Sequence, residues 1–150
     1  MKVARTMVLS AALILGNMSL CMANLAYIGI VKSITRNVFF IRNGETIQAV
    51  ANMRIMVKDV IKTGPDGSIG FILKDDTIIS MGPGSEIVID DFSFVPIEKN
   101  MSFIVRMLHG TASYISGQIG KLSPDSVRFE TPVATIGMRG THFLVKAGEN

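Results

Sequence analysis

Residues 59–75 read DVIKTGPDGSIGFILKD, and residues 76–90 continue DTIISMGPGSEIVID. Laid one under the other, the two halves match at a spacing of 17 residues, with Asp59 on Asp76, Ile61 on Ile78, Thr63 on Ser80, Gly67 on Gly84, Ser68 on Ser85 and Ile72 on Ile89. Each half is a short β-rich run, a Gly/Pro turn and a second β-rich run. In the turns Gly64-Pro65-Asp66-Gly67 and Gly82-Pro83-Gly84, proline presets φ and glycine accepts left-handed backbone. Ile69, Phe71 and Leu73 alternate onto one face, as do Ile87 and Ile89, which is the period of a half-buried strand.

Outward from this doublet the chain keeps the same character. Tyr27–Ser33 is an apolar, β-branched run. Val38–Ile41, Asn43-Gly44 and Thr46–Val50 form a hairpin signal, because Asn-Gly supplies the two positive-φ residues of a type I′ turn. Met53–Val57 is a further short run. Asp90–Pro96 reads as an irregular bend, and Met101–Leu108 suits a helix or a strand, ended by Gly110. Ala112–Ser116, Val127–Thr131 and His142–Lys146 are strand candidates, with a loop over Gly117–Asp125. Many short strands separated by turn signals predict an all-β domain. The repeat tilts this toward the stacked coils of a β-solenoid or roll, with a β-sandwich as the alternative.

The chain has 150 residues, 48% hydrophobic and 18% charged, which suits one domain with a core and excludes a disordered tail. Residues 1–26 read as a secretory signal peptide: Lys2 and Arg5 precede the apolar Met7–Leu15, too short to span a bilayer comfortably. Cleavage falls near Ala23, with Cys21 and Ala23 at −3 and −1, or near Ala26, leaving residues 27–150 as the domain. An uncleaved anchor is the competing reading. Removing Lys2 and Arg5 takes the formal net charge from +3 to +1, and the remaining basic residues are spread along the chain, which excludes a nucleic-acid footprint. Cys21 is the only cysteine and departs with the leader, so the mature chain has no disulfide and no thiol nucleophile. Leu20 sits where a lipoprotein box wants a small residue, which argues against lipidation at Cys21. No membrane span is expected after cleavage.

No catalytic set emerges. His109 and His142 lack ligand partners at metal spacing. Asp75-Asp76 and Asp90-Asp91 match neither an EF-hand nor a nonapeptide calcium roll. Ser113, Ser116 and Ser126 lack a nucleophile elbow. No metal and no cofactor is expected. Arg139, between Gly137 and Gly140, can either pin its own corner or face a partner bidentately. The methionines outside the leader are scattered core fillers.

Two groups of residues carry a resemblance. The first is Asp59, Ile61 and Thr63, followed by Gly67-Ser68, Asp76-Thr77 and Gly84-Ser85. The second is the run from Thr131 and Pro132 through Ala134 and Gly137 to Arg139, Gly140 and Thr141, which looks like a T-P-x-A-x-x-G-x-R-G-T signature. From about Gly29 onward the chain resembles FecR-type domains, periplasmic β-rich modules best known from iron-transport signalling regulators. The family's usual Gly before Asp59 is Lys58 here, and its D-G-S turn falls at Asp76-Thr77. The chain stops soon after Thr141, where relatives continue, so an incomplete final coil is expected. What the resemblance implies is a free-standing periplasmic or secreted module without the regulators' anti-sigma segment, with these signature residues in structural roles. Its expected partner is an envelope protein, such as an outer-membrane receptor's signalling domain or a membrane regulator. An incomplete coil leaves a strand edge free, which makes Thr141, His142, Phe143, Leu144, Val145 and Lys146 the candidate partner-binding edge. A structural or glycan-associated envelope protein is the second reading; with no Trp and only Tyr27 and Tyr114, the aromatic signal for sugar contact is thin. An enzyme such as a hydrolase is the third and the least supported.

Overall fold

Asn43 and Gly44 take φ of 51° and 80°, the pair of positive values a type I′ turn needs, and they join β2 (Val38–Arg42) to β3 (Glu45–Gln48) in register with Arg42 opposite Glu45. The computed structural model describes residues 26–138 and 142–148. The signal peptide expected over residues 1–26 lies almost wholly outside them.

The doublet folds as β5 (Val60–Thr63), β6 (Ser68–Leu73), β7 (Ile78–Met81) and β8 (Glu86–Val95). A tight turn with Asp76 at φ 67° reverses the chain between β6 and β7, so β6 pairs with β7 and β5 with β8, both antiparallel. The all-β expectation holds. The stacked coils do not form: the two halves of the repeat are the arms of one bent hairpin, because the turn at Lys74–Thr77 reverses the second copy instead of carrying it around in the same direction.

The remaining strands extend this hairpin on both sides. One sheet has the order β4 (Arg54–Ile55), β1 (Gly29–Thr35), β6, β7, β9 (Asn100–Ile115) and β12 (His142–Ala147). The other has β3, β2, β5, β8, β9, β10 (Val127–Thr131) and β11 (Ala134–Gly137). The 16-residue β9 belongs to both, so the described strands form one sheet curled into an antiparallel half-barrel, in which only β9–β10 is parallel. Gly110, expected to end a segment, instead bends β9 at φ 95° and lets it continue. Asp90–Val95 is the continuation of β8 and not an irregular bend. Of the two options for Met101–Leu108, the strand is the one that forms. A short helix, α1 (Gln118–Leu122), stands where a loop was expected.

The concave side holds the core. Val31, Phe71, Ile79 and Tyr114 from one wall face Phe40, Ile61, Ile87 and Met107 from the other, all at most 1% exposed. An aromatic chain runs from Phe92 through Phe103, Tyr114 and Phe143 to Phe129, with ring centroids 4.9–6.2 Å apart, and ties β12 to β10.

Candidate interaction surfaces and the signature residues

The chain crosses between the two walls at Arg36-Asn37, Gly64–Gly67, Gly82–Ser85 and Gly110. These corners are bonded to one another in a row. Gly64 N–H donates to Asn37 O at 2.8 Å, and Gly84 N–H donates to Gly64 O at 2.9 Å. The Thr63 hydroxyl donates to Gly82 O at 2.7 Å and accepts Ser85 N–H at 2.8 Å. Ser85 Oγ accepts Thr111 N–H at 2.9 Å and lies 3.1 Å from Thr111 O. Thr63 and Ser85 are both buried, so their hydroxyls satisfy main-chain groups that water cannot reach. A Cβ on Gly67 would sit 2.3 Å from Asn37 O, and one on Gly110 would sit 2.2 Å from Ser85 Oγ. Gly84 holds φ 59°. Ile61 is core.

Asp59, 1% exposed, receives a two-pronged bond from Arg42: Nε to Oδ1 at 2.8 Å and Nη2 to Oδ2 at 2.7 Å. Met56 N–H adds a third bond at 2.8 Å. The Asp59 hydrogen bond raises the Arg42 pKa, against the smaller lowering from its own partial burial. Beside this pair Lys58 takes φ 73°, a left-handed position that suits the glycine usual in the family pattern.

In the second turn the buried carboxylate stands one position earlier than the resemblance suggested. Asp76 is exposed and bonds only the Gln118 amide, at 2.9 Å. The buried carboxylate is Asp75, which receives Thr77 N–H at 3.1 Å, Thr77 Oγ1 at 2.8 Å and Ile119 N–H at 3.2 Å. Asp75 and Thr77 thus clamp the start of α1 against the β6–β7 turn. The alternation from Phe71 to Ser80 assigns both to the inner face, which is the signal that could have found them.

In the C-terminal signature, the Thr131 hydroxyl accepts Ala134 N–H at 3.1 Å and closes the β10–β11 turn, with Pro132 exposed at its tip. Gly137 ends β11 with open space around it. Arg139, Gly140 and Thr141 lie outside the described residues. Thr131, Pro132 and the fully exposed Val133 line a cleft of about 500 Å³ together with Lys146, Ala147 and Leu108.

Among the described residues, β12 pairs with β9 alone. Gly82 N–H donates to Thr111 O at 3.0 Å, so Thr111 aims its main chain toward β7. By the alternation of an antiparallel ladder, Ala112 and Tyr114 aim theirs at β12, opposite Val145 and Phe143. His142, Leu144 and Lys146 are left with main-chain N–H and C=O groups on the open side, and Leu144 is 78% exposed.

Groups with chemical potential are tied up locally. His109 contacts Gly84 O at 2.8 Å and Glu86 at 3.2 Å, while His142 Nε2 meets Ser113 Oγ at 3.1 Å. Among the described residues, no three His, Cys, Asp or Glu side chains converge on a point. Tyr114 is in the core, and Tyr27 lies under Lys74 Nζ at 4.0 Å and Arg54 at 4.9 Å. No described helix is long and apolar enough to cross a membrane.

Over residues 59–150 the chain matches the profile of the family described as FecR protein, and it belongs to that family. No curated protein and no solved structure matches it. Membership identifies a module of the kind found in envelope signalling regulators, a regulatory and generally non-enzymatic family whose members work with membrane proteins.

Proposed function

We propose that this chain is a non-catalytic binding module of the periplasm or outer envelope, and that it takes a strand of a partner protein onto the open side of β12. The observation that carries the reading is the outward main chain of His142, Leu144 and Lys146, a row of donors and acceptors with no strand neighbour among the described residues. Such a row recruits an extended peptide by main-chain hydrogen bonds, and pockets beside it choose the side chains. The cleft at Thr131–Val133 lies beside the C-terminal end of that strand and supplies one such pocket. The partner is the signalling domain of an outer-membrane receptor or a membrane-bound regulator.

The test is in-cell crosslinking of the mature domain, with partners identified by mass spectrometry, comparing wild type with Leu144→Pro. Proline removes one outward donor and leaves the Val145 and Phe143 bonds to β9 in place. Capture of a receptor or regulator by wild type, with severalfold loss in the variant, supports the reading. Equal capture by both chains sinks it. A thermal melt within a few degrees of wild type confirms that the variant is folded.

A further inference from the structure

The convex faces of the two walls differ in chemistry. On the β2-β5-β8-β9 wall, charges neutralise one another: Lys62 lies 3.2 Å from Glu86, and Lys58 and Arg106 flank Asp90 at 3.4 and 3.0 Å. On the other wall, β1, β4, β6, β7, β12 and the Gly110–Ile115 half of β9 contain no Asp or Glu at all.

Register places two outward rows across this second wall. Ile30, Ile72, Ile78 and Ile115 lie side by side on successive strands, ending at His142. Next to them run Ser33, Gly70, Ser80 and Ser113, ending at Leu144. Ile78 and Ile115 are 38% and 40% exposed. The small residues leave a trough beside the isoleucines. It shows as adjoining clefts of about 280 Å³ over Ser80, Ser113 and Leu144 and about 250 Å³ over Ser33, Gly70 and Ile78, sharing Ser80. Five strands at about 4.8 Å make the trough roughly 19 Å long. Cations stand at both ends, Lys32 on β1 and Lys146 on β12, while Lys74 and the exposed Asp76 stand together at the β6–β7 turn. Neither Lys32 nor Lys146 is paired with a carboxylate among the described residues.

We propose that this trough docks a segment of a partner protein that is apolar at its centre and carries carboxylates at both flanks. The isoleucine row removes the central side chains from water, the bare Gly70 and the small Ser80 and Ser113 make room for them, and the lysines at each end select acidic flanks. An apolar surface with an unpaired cation at each end is complementary to carboxylates on the ends of whatever covers it. The trough meets the β12 edge only through the side chains of His142, Leu144 and Lys146; its floor on β1, β6 and β7 is separate from the outward main chain of β12, and the proposal stands if strand addition there fails.

The experiment places a photoreactive residue at position 78 or 115 of the full chain in cells, with position 106 on the ion-paired wall as control. The expected result is a protein crosslink at 78 and 115, absent at 106, whose mapped segment has Asp or Glu on both sides of apolar residues. Yield should fall about fivefold or more in Lys32→Glu/Lys146→Glu and in Gly70→Arg, the latter on β6 and three strands away from the open edge of β12. Crosslinks to phospholipid alone would assign the face to a membrane surface and overturn the proposal. So would equal yields at 78 and 106, or yields insensitive to the charge reversal. Matched circular dichroism and melting of the variants guard against loss of fold.

Discussion

Replacing Thr63 with valine tests whether the row of corners holds the two walls together. Valine keeps the shape of threonine and removes only the hydroxyl, which accepts Ser85 N–H at 2.8 Å and donates to Gly82 O at 2.7 Å. Ser85 is 1% exposed, so its N–H loses its partner with no route to water, at a cost of about 1–3 kcal/mol. Losing the bond to Gly82 O adds about 0.5–1.5 kcal/mol, and the extra methyl of valine returns under 1 kcal/mol. The expected destabilisation is about 2–3 kcal/mol. Thr63→Ser keeps both bonds and loses one buried methyl, which costs about 1 kcal/mol. Guanidinium denaturation reads the difference as a lower midpoint at unchanged slope. At about 3–5 °C per kcal/mol for a domain of this size, Thr63→Val melts roughly 10 °C below wild type and well below Thr63→Ser. If Thr63→Val proves as stable as Thr63→Ser, the corner hydroxyls contribute nothing and the argument for them is refuted.

Tyr114 is buried with its hydroxyl near Ser116 and Thr77 but in hydrogen-bond geometry with neither, so Tyr114→Phe is expected to be neutral or stabilising by about 1 kcal/mol in thermal melts. Burial raises the Tyr114 pKa above its ordinary 10.0, so the folded state holds its proton longer than the unfolded chain does. The resulting stability is full below pH 10 and declines as pH rises beyond it, and a titration of melting temperature should show that decline in wild type and a smaller one in Tyr114→Phe. Lys58→Gly relieves the left-handed backbone at φ 73° and loses only a solvent-exposed 3.4 Å contact with Asp90; a gain of about 0.5–1 kcal/mol in chemical denaturation is expected. In Gly117→Ala the new Cβ would meet Asp75 O at 2.2 Å and Thr77 N at 2.3 Å, both backbone. A loss of about 3 kcal/mol or more should appear as a lower denaturation midpoint and early proteolysis near α1.

Local chemistry was legible in the sequence wherever one short segment decides the structure. Asn43-Gly44 dictates its hairpin because two consecutive positive φ values suit few other pairs. The Gly/Pro turns of the doublet were readable as turns for the same reason. That they are corners between walls was not, since a corner is defined by what lies across it: Asn37, Gly64 and the Gly84-Ser85 pair are far apart in sequence and meet only after folding. Gly110 shows the same limit. A glycine after His109 reads as a stop, but packing against Ser85 turns it into a bend within one continuous strand. The 17-residue repeat is present in the chain, yet a period gives arm length and not direction, and the Asp76 turn set the direction. The Asp59–Arg42 pair joins residues 17 apart, and no spacing rule for strands points to it. At the open edge, the strand over His142–Lys146 was readable in the sequence, while its single neighbour among the described residues was a matter of topology.

The first four strands have a consequence for how this protein is handled. The family match begins at Asp59, but β1 covers the flank of β6 and β2 covers the flank of β5, and Val31, Val38, Phe40 and Ile55 from this region are all at most 1% exposed. A chain cut to begin at Asp59 would keep the family signature and lay bare the sides of both walls at once. Two fresh, flat strand margins and an unroofed core favour self-association in the manner of amyloid-prone edges. The boundary drawn by sequence likeness therefore falls inside the cooperative folding unit. An expression clone that follows it would be expected to yield insoluble protein, whereas one that begins before Gly29 keeps the unit whole.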